Sequence, residues 1–132
     1  MSRQKNNISN IHSQPPLFKQ VCVIGLGLIG ASLAQAIKDN GLSERLVAVD
    51  RHAPSIDEAI QQGLLDAGSA VLSEVVSGSD LIVIAVPVQA VEAVFVDIKT
   101  AMDNGQLATD CMITDVCSTK VNIIEAAKAV FT

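Results

Sequence analysis

The stretch "VCVIGLGLIG" (residues 21–30) decides the fold of this chain. A β-rich run closes on glycine, and a segment with helical spacing follows to Gly41. The glycines have G-x-G-x-x-G spacing: the first makes a tight turn, the second lets a pyrophosphate approach, and the third lets helix and strand pack closely. A turn used for packing alone is the alternative. We predict that six residues of this turn bind a dinucleotide: Gly25, Leu26, Gly27, Leu28, Ile29 and Gly30.

An acid follows at the distance that such a site requires. The predicted strand 45–50 ends in Asp50, twenty residues after Gly30, where a carboxylate can accept both hydroxyls of the adenine ribose. The carboxylate would repel the 2′-phosphate of NADP, so NAD is the predicted cofactor. Arg51 keeps NADP open, because its guanidinium can pair with that phosphate or stack on adenine. A solvated acid at a strand end is the structural alternative for Asp50.

Strand-like and helix-like segments alternate along the rest of the chain. Short connections between them predict parallel strands joined by right-handed crossovers. The fold class is therefore α/β, a three-layer Rossmann-type doubly wound sheet of order 3-2-1-4-5 whose last strand or strands are missing. Predicted strands cover 20–25, 45–50, 64–70, 80–87 and 111–116, and predicted helices cover 28–41, 55–63, 87–102 and 118–131. The helix at 55–63 carries a predicted capping box, Ser55 with Glu58.

Composition bounds the class of protein. The 132 residues are 49% hydrophobic and 17% charged, with a net charge of −5 and no basic cluster, which argues against nucleic-acid binding. No apolar run is long enough to cross a bilayer, and no metal site is predicted. Three cysteines, read as reduced thiols, predict a cytoplasmic protein. Residues 1–18 are predicted to be a flexible arm, and residues 19–132 an NAD(P)-binding domain.

Ligands of open α/β sheets lie beyond the carboxyl ends of the strands, where strand order reverses. Strand four ends in Ala85, Val86 and Pro87, which we predict to line the nicotinamide side. Strand five runs into "ITDVCSTK" (113–120), which brings three polar groups to the same crevice. They are Asp115, Ser118 and Lys120. Helix capping by Asp115 or Ser118, and a solvated Lys120, are the structural alternatives.

Four segments together resemble the cofactor domain of prephenate dehydrogenases and of the related arogenate and cyclohexadienyl dehydrogenases of tyrosine biosynthesis. They are "VCVIGLGLIGASLAQAIK", "VAVDR", "SDLIVIAVPV" and "ITDVCSTK". The resemblance implies oxidative decarboxylation of prephenate or arogenate, with hydride transfer to NAD(P)+, in an enzyme expected to be a homodimer. It also implies that Ser118 hydrogen-bonds near the substrate hydroxyl and the nicotinamide, with Lys120 closing the motif. Cys117 departs from the pattern, because family members often carry glycine there.

The resemblance also predicts a group that this sequence lacks. A base or hydrogen-bond partner, most often histidine, is needed when the hydroxyl proton leaves, and the only histidines are His12 and His52. By resemblance, the family's histidine would come after Thr132, so we expect a fragment of a two-domain enzyme that is inactive alone. Two other hypotheses stay open: another NAD(P)-dependent enzyme, of the β-hydroxyacid dehydrogenase or imine reductase type, and a non-catalytic dinucleotide-sensing domain.

Overall fold

The computed structural model describes residues 15–116, which form a five-stranded parallel sheet of order β3-β2-β1-β4-β5. This is the predicted strand order. The central β1 pairs with β2 on one side and with β4 on the other, so strand order reverses at β1. The strands are β1 (Phe18–Ile24), β2 (Ser43–Val49), β3 (Ala67–Ser69), β4 (Leu81–Ile84) and β5 (Met112–Asp115).

Helices cover both faces of the sheet, and each face has its own apolar core. On one face, α1 (Leu28–Asp39) and α2 (Ala53–Gln61) pack through buried residues such as Ala34 and Ile56. On the other face, α3 (Val91–Asp103) and a short 3₁₀ turn at Leu72–Glu74 pack over the strands. Strands covered on both faces read as continuous aliphatic runs, as "VCVI" and "LIVI" do here. No helix within residues 15–116 is long and apolar enough to cross a membrane.

The starts of two helices differ from the prediction, and β3 is shorter than the predicted strand 64–70. The helix predicted from Pro87 begins instead with a 3₁₀ turn at Val88–Ala90 and becomes α-helical at Val91, so residues 85–87 form a connection rather than the end of β4. The predicted capping box is wrong: His52 is the N-cap of α2, and Ser55 lies inside the helix. Pro54 accounts for this, because proline fits a helix's first turn and lacks the N–H that would need a partner there.

At the amino ends of the strands, the buried side-chain amide of Gln20 holds neighbouring segments together. The Gln20 side chain is 7% exposed, and its Nε2 donates to the Ser79 hydroxyl at 2.7 Å and to two backbone carbonyls. Its Oε1 accepts from Arg45 at 3.1 Å. The neighbouring Asp80 carboxylate accepts the backbone N–H of Gln20 at 3.0 Å. These bonds connect β1, β2 and the segment before β4. They lie away from the carboxyl ends of the strands, where ligands of such sheets bind.

We expect Gln20→Leu to lower the free energy of unfolding by about 1–3 kcal/mol, because the polar groups that hydrogen-bond to the Gln20 amide would lose their partner. Urea unfolding followed by circular dichroism measures the change. Gln35→Leu is the matched control, since within residues 15–116 the Gln35 amide bonds to exposed Asp39 on the same helix and its loss should cost under about 0.5 kcal/mol. Equal midpoints for the two variants would contradict a structural role of Gln20.

Candidate nucleotide-binding site

The turn after β1 depends on a glycine at position 25. Gly25 has φ of +101°, a conformation that side chains rarely adopt, and a Cβ there would lie 2.5 Å from the backbone oxygen of Ala85. Its N–H donates to the Val49 carbonyl at 2.7 Å, so the end of β2 anchors the turn. Gly25 therefore has the tight-turn role that the spacing predicted.

The other two glycines of the motif differ sharply in their surroundings. A Cβ on Gly30 would lie 1.8 Å from the backbone oxygen of Gly25, so α1 contacts the turn through a position without a side chain. A Cβ on Gly27, the N-cap of α1, would meet nothing within 4 Å. The close packing predicted for the third glycine is confirmed, and the space beside the second glycine is open.

The first turn of α1 has no cap of its own. Its N-cap forms no side-chain hydrogen bond, and no acidic residue lies in the first turn. The backbone N–H groups of the first turn also have no acceptor within the helix. The side chains of Leu28 and Ile29 are 88% and 58% exposed and do not line the crevice described below. A ligand in that crevice would therefore meet this turn through its backbone amides, an arrangement that favours an anion.

Asp50 follows β2 and lies against the same turn. Its Oδ2 accepts the backbone N–H of Leu26 at 2.6 Å, and its Oδ1 accepts the backbone N–H of His52 at 2.7 Å. Sequence spacing predicted the acid but gave no sign of the bond to Leu26. The exposed Arg51 follows directly, and the His52 ring lies 2.8 Å from the Ser55 hydroxyl at the start of α2. His52 is thus on the β2 side of the site.

A crevice of about 750 Å³ opens beside this turn at the carboxyl ends of the strands. A volume of this size is within the range of small-molecule sites. Seven of the predicted site residues line it: Gly25, Gly27, Asp50, Arg51, Ala85, Val86 and Pro87. Five others are absent from its lining: Leu26, Leu28, Ile29, Gly30 and Asp115. The structure therefore brings the glycine turn, the acid and the connection after β4 together in one place.

The crevice also extends between α3 and the 3₁₀ turn after β3, and no residue of this extension was among the predicted site residues. Small or apolar side chains form most of this extension, with Asp97, Thr100 and Gln106 as polar exceptions. The lining residues are Ala70, Val71, Leu72, Ser73, Ala90, Ala93, Val94, Asp97, Thr100, Ala101 and Gln106. A signal was available, because Ala93, Asp97 and Thr100 recur every three or four residues and so share a face of α3.

The residues predicted after strand five are only partly described. Asp115 ends β5 beside Ile84, and its Oδ1 is buried without a hydrogen-bond partner in the described part of the chain. Ser118 and Lys120 lie outside the described residues, as do Cys117 and the predicted helix 118–131. Their roles stay predictions.

The two described cysteines are free and suited to packing rather than chemistry. Burial raises the pKa of the Cys22 thiol to about 12, so this side chain stays protonated. Burial also raises the pKa of Cys111, with smaller contributions from Asp80 and Asp110. Cys22 is a core residue, whereas Cys111 is only partly buried beside the same core. Within residues 15–116, no group of three or more metal-ligating side chains is found.

A parallel sheet of this order, with a glycine turn and an acid facing one crevice, defines a Rossmann-type nucleotide-binding domain. Comparison with known sequences gives the family. The family model described as "Prephenate dehydrogenase, nucleotide-binding domain" matches residues 33–132. The chain belongs to this family.

Individual relatives agree with that assignment. The chain is 31% identical to the prephenate dehydrogenase of Bacillus subtilis over 83% of its length, and 32% identical to the cyclohexadienyl dehydrogenase of Zymomonas mobilis, also over 83%. It spans only 29% and 36% of those two proteins. The crystal structure of Aquifex aeolicus prephenate dehydrogenase in complex with hydroxyphenyl propionate and NAD+ shares the fold, with a TM-score of 0.74 at 21% identity, over 85% of this chain and 38% of that one.

Proposed function

We propose that this chain binds NAD in the crevice and is the nucleotide-binding part of a prephenate or arogenate dehydrogenase. The observation that carries the proposal is the open space beside Gly27, at the uncapped start of α1. Backbone amides there suit a pyrophosphate. A dinucleotide fits the residues present, because the crevice continues from the turn past Asp50 to the small side chains of α3.

The proposed reaction is an oxidative decarboxylation, in which NAD+ would be the hydride acceptor. The ring carbon that bears the hydroxyl would lose its hydrogen as hydride, and the bond between the ring and its carboxylate would break to release carbon dioxide. The hydroxyl oxygen stays on the ring, which becomes aromatic. We assign Ala85, Val86 and Pro87 to the nicotinamide side, and Asp115, Ser118 and Lys120 to the reacting end. Prephenate and arogenate differ only in their side chains, so both are kept as substrates of the parent enzyme, which we propose to be a cytoplasmic homodimer.

The preference for NAD over NADP rests on Asp50. A 2′-phosphate placed at the ribose would lie beside this carboxylate, and like charges at short distance repel. Arg51 lines the same crevice and is exposed, so it would offset part of the repulsion. We propose that NAD is the preferred cofactor and that NADP binds more weakly.

Thermal unfolding of this chain tests the proposal. We expect NAD, at about ten times its dissociation constant, to stabilise the fold by about 1.4 kcal/mol and to raise the melting temperature by a few degrees. NADP at the same concentration should give a smaller increase, and AMP should give some increase if the adenosine part binds beside Asp50. No increase with either dinucleotide would contradict the proposed function. A larger increase with NADP would contradict only the cofactor preference.

A further inference from the structure

Asp50 makes contacts that a residue used only for binding a sugar would not need. Both of its carboxylate oxygens accept backbone N–H groups, from Leu26 at 2.6 Å and from His52 at 2.7 Å. Such charge-assisted hydrogen bonds are about twice as strong as neutral ones. On the basis of the proposed function, we propose that Asp50 is also a positioning residue, which holds the glycine turn in the shape that receives the pyrophosphate.

Besides the close approach of Gly25 to Ala85 and the packing of the partly buried Leu26 side chain against the core, the turn is held by backbone hydrogen bonds. Gly25 and Gly27 have no side chains that could pack, and the space beside Gly27 is open. Two consecutive N–H groups of the turn are instead fixed to the end of β2, Gly25 to the Val49 carbonyl at 2.7 Å and Leu26 to the Asp50 carboxylate. Only the second of these bonds involves a side chain. Removing that side chain should free the peptide between Gly25 and Gly27 while leaving the strand pairing intact.

The two roles of Asp50 are compatible. An ionised carboxylate has about four acceptor sites, and the two backbone bonds use two of them. Ribose hydroxyls could bond to the remaining sites while the turn stays fixed. If Asp50 positions the turn, its replacement should weaken the binding even of a ligand without ribose hydroxyls. If Asp50 binds only the sugar, its replacement should leave the affinity for such a ligand unchanged.

A cycle of two proteins and two ligands separates these roles. Isothermal titration calorimetry would compare the unmodified chain with Asp50→Ala, each with NAD and with an NAD analogue that lacks the 2′- and 3′-hydroxyls of the adenine ribose. We expect Asp50→Ala to weaken binding of the analogue by about tenfold, and binding of NAD by more. Equal affinity of both proteins for the analogue would overturn the positioning role. Asp50→Asn keeps one acceptor oxygen, so its affinity for the analogue should lie between those of the unmodified chain and Asp50→Ala.

A ligand-free measurement keeps this inference distinct from the proposed function. The Leu26 amide proton should exchange faster, and its NMR signal should shift upfield, in Asp50→Ala. An unchanged Leu26 signal would overturn the inference, while failure of the unmodified chain to bind NAD would overturn the proposed function.

Asp66→Ala is the matched control. The Asp66 Oδ2 accepts the backbone N–H of Leu46 in β2 at 2.8 Å, the same kind of carboxylate-to-backbone bond but outside the crevice. This variant should lose stability and keep its affinity for both ligands. Loss of analogue affinity in Asp66→Ala equal to that in Asp50→Ala would show a general effect of destabilisation and would overturn the positioning role.

Discussion

Replacing Gly30 with alanine is expected to lower the free energy of unfolding by about 3 kcal/mol or more. The added Cβ would lie 1.8 Å from the backbone oxygen of Gly25 and 2.9 Å from its carbonyl carbon. These atoms belong to a turn that is itself fixed to β2 and pressed against Ala85, so no flexible side chain can move aside. Either α1 must shift away from the sheet or the turn must deform. Since whole domains are stable by only about 5–15 kcal/mol, this loss would be a large fraction of the total.

Gly27→Ala provides the control for this prediction. It makes the same chemical change three residues earlier, where φ is −68° and a Cβ would meet nothing within 4 Å. A change at an N-cap typically alters stability by about 1 kcal/mol or less. Urea unfolding of both variants measures the difference between them. Similar unfolding midpoints would mean that α1 does not approach the turn as closely as described.

Much of this fold was predictable because its signals are local. Aliphatic runs such as "VCVI" and "LIVI" predict strands buried on both faces, and short connections between alternating elements predict parallel pairing. The glycine spacing predicted the turn, because a positive φ at Gly25 and the close approach at Gly30 leave only glycine at both positions. The acid at Asp50 was also predictable from a local signal, because the lengths of α1 and β2 fix its distance along the chain from the turn.

Features that depend on packing between distant segments were not predictable. The bond from Leu26 to Asp50 joins residues 24 positions apart, and nothing in the spacing indicates a 2.6 Å contact rather than an open acid. For the extension of the crevice, the sequence showed a face of small and polar residues on α3 but not that the 3₁₀ turn at 72–74 lies opposite it. The predicted capping box is wrong for a local reason, because Pro54 allows α2 to begin before Ser55.

The largest effect on binding is expected from Gly27→Asp, which should weaken NAD binding by about a hundredfold or more while leaving the fold as stable as before. Asp is a preferred N-cap residue, and a negative charge at a helix N-terminus typically contributes about 0.3–1 kcal/mol. The side chain also has room, because a Cβ at this position meets no atom within 4 Å. The same space is where the pyrophosphate is proposed to lie. Two like charges about 4 Å apart near a protein surface repel by about 4 kcal/mol.

A loss of affinity without a loss of stability makes this variant informative, because damage to the fold would lower both. Gly27→Asn is the matched control: it keeps the size and the capping oxygen but carries no charge, so it should bind NAD better than Gly27→Asp does. Calorimetric titration with NAD, paired with urea unfolding, measures both quantities. If Gly27→Asp bound NAD as tightly as the unmodified chain, the phosphates could not lie at the start of α1. The open space beside Gly27 would then need another explanation.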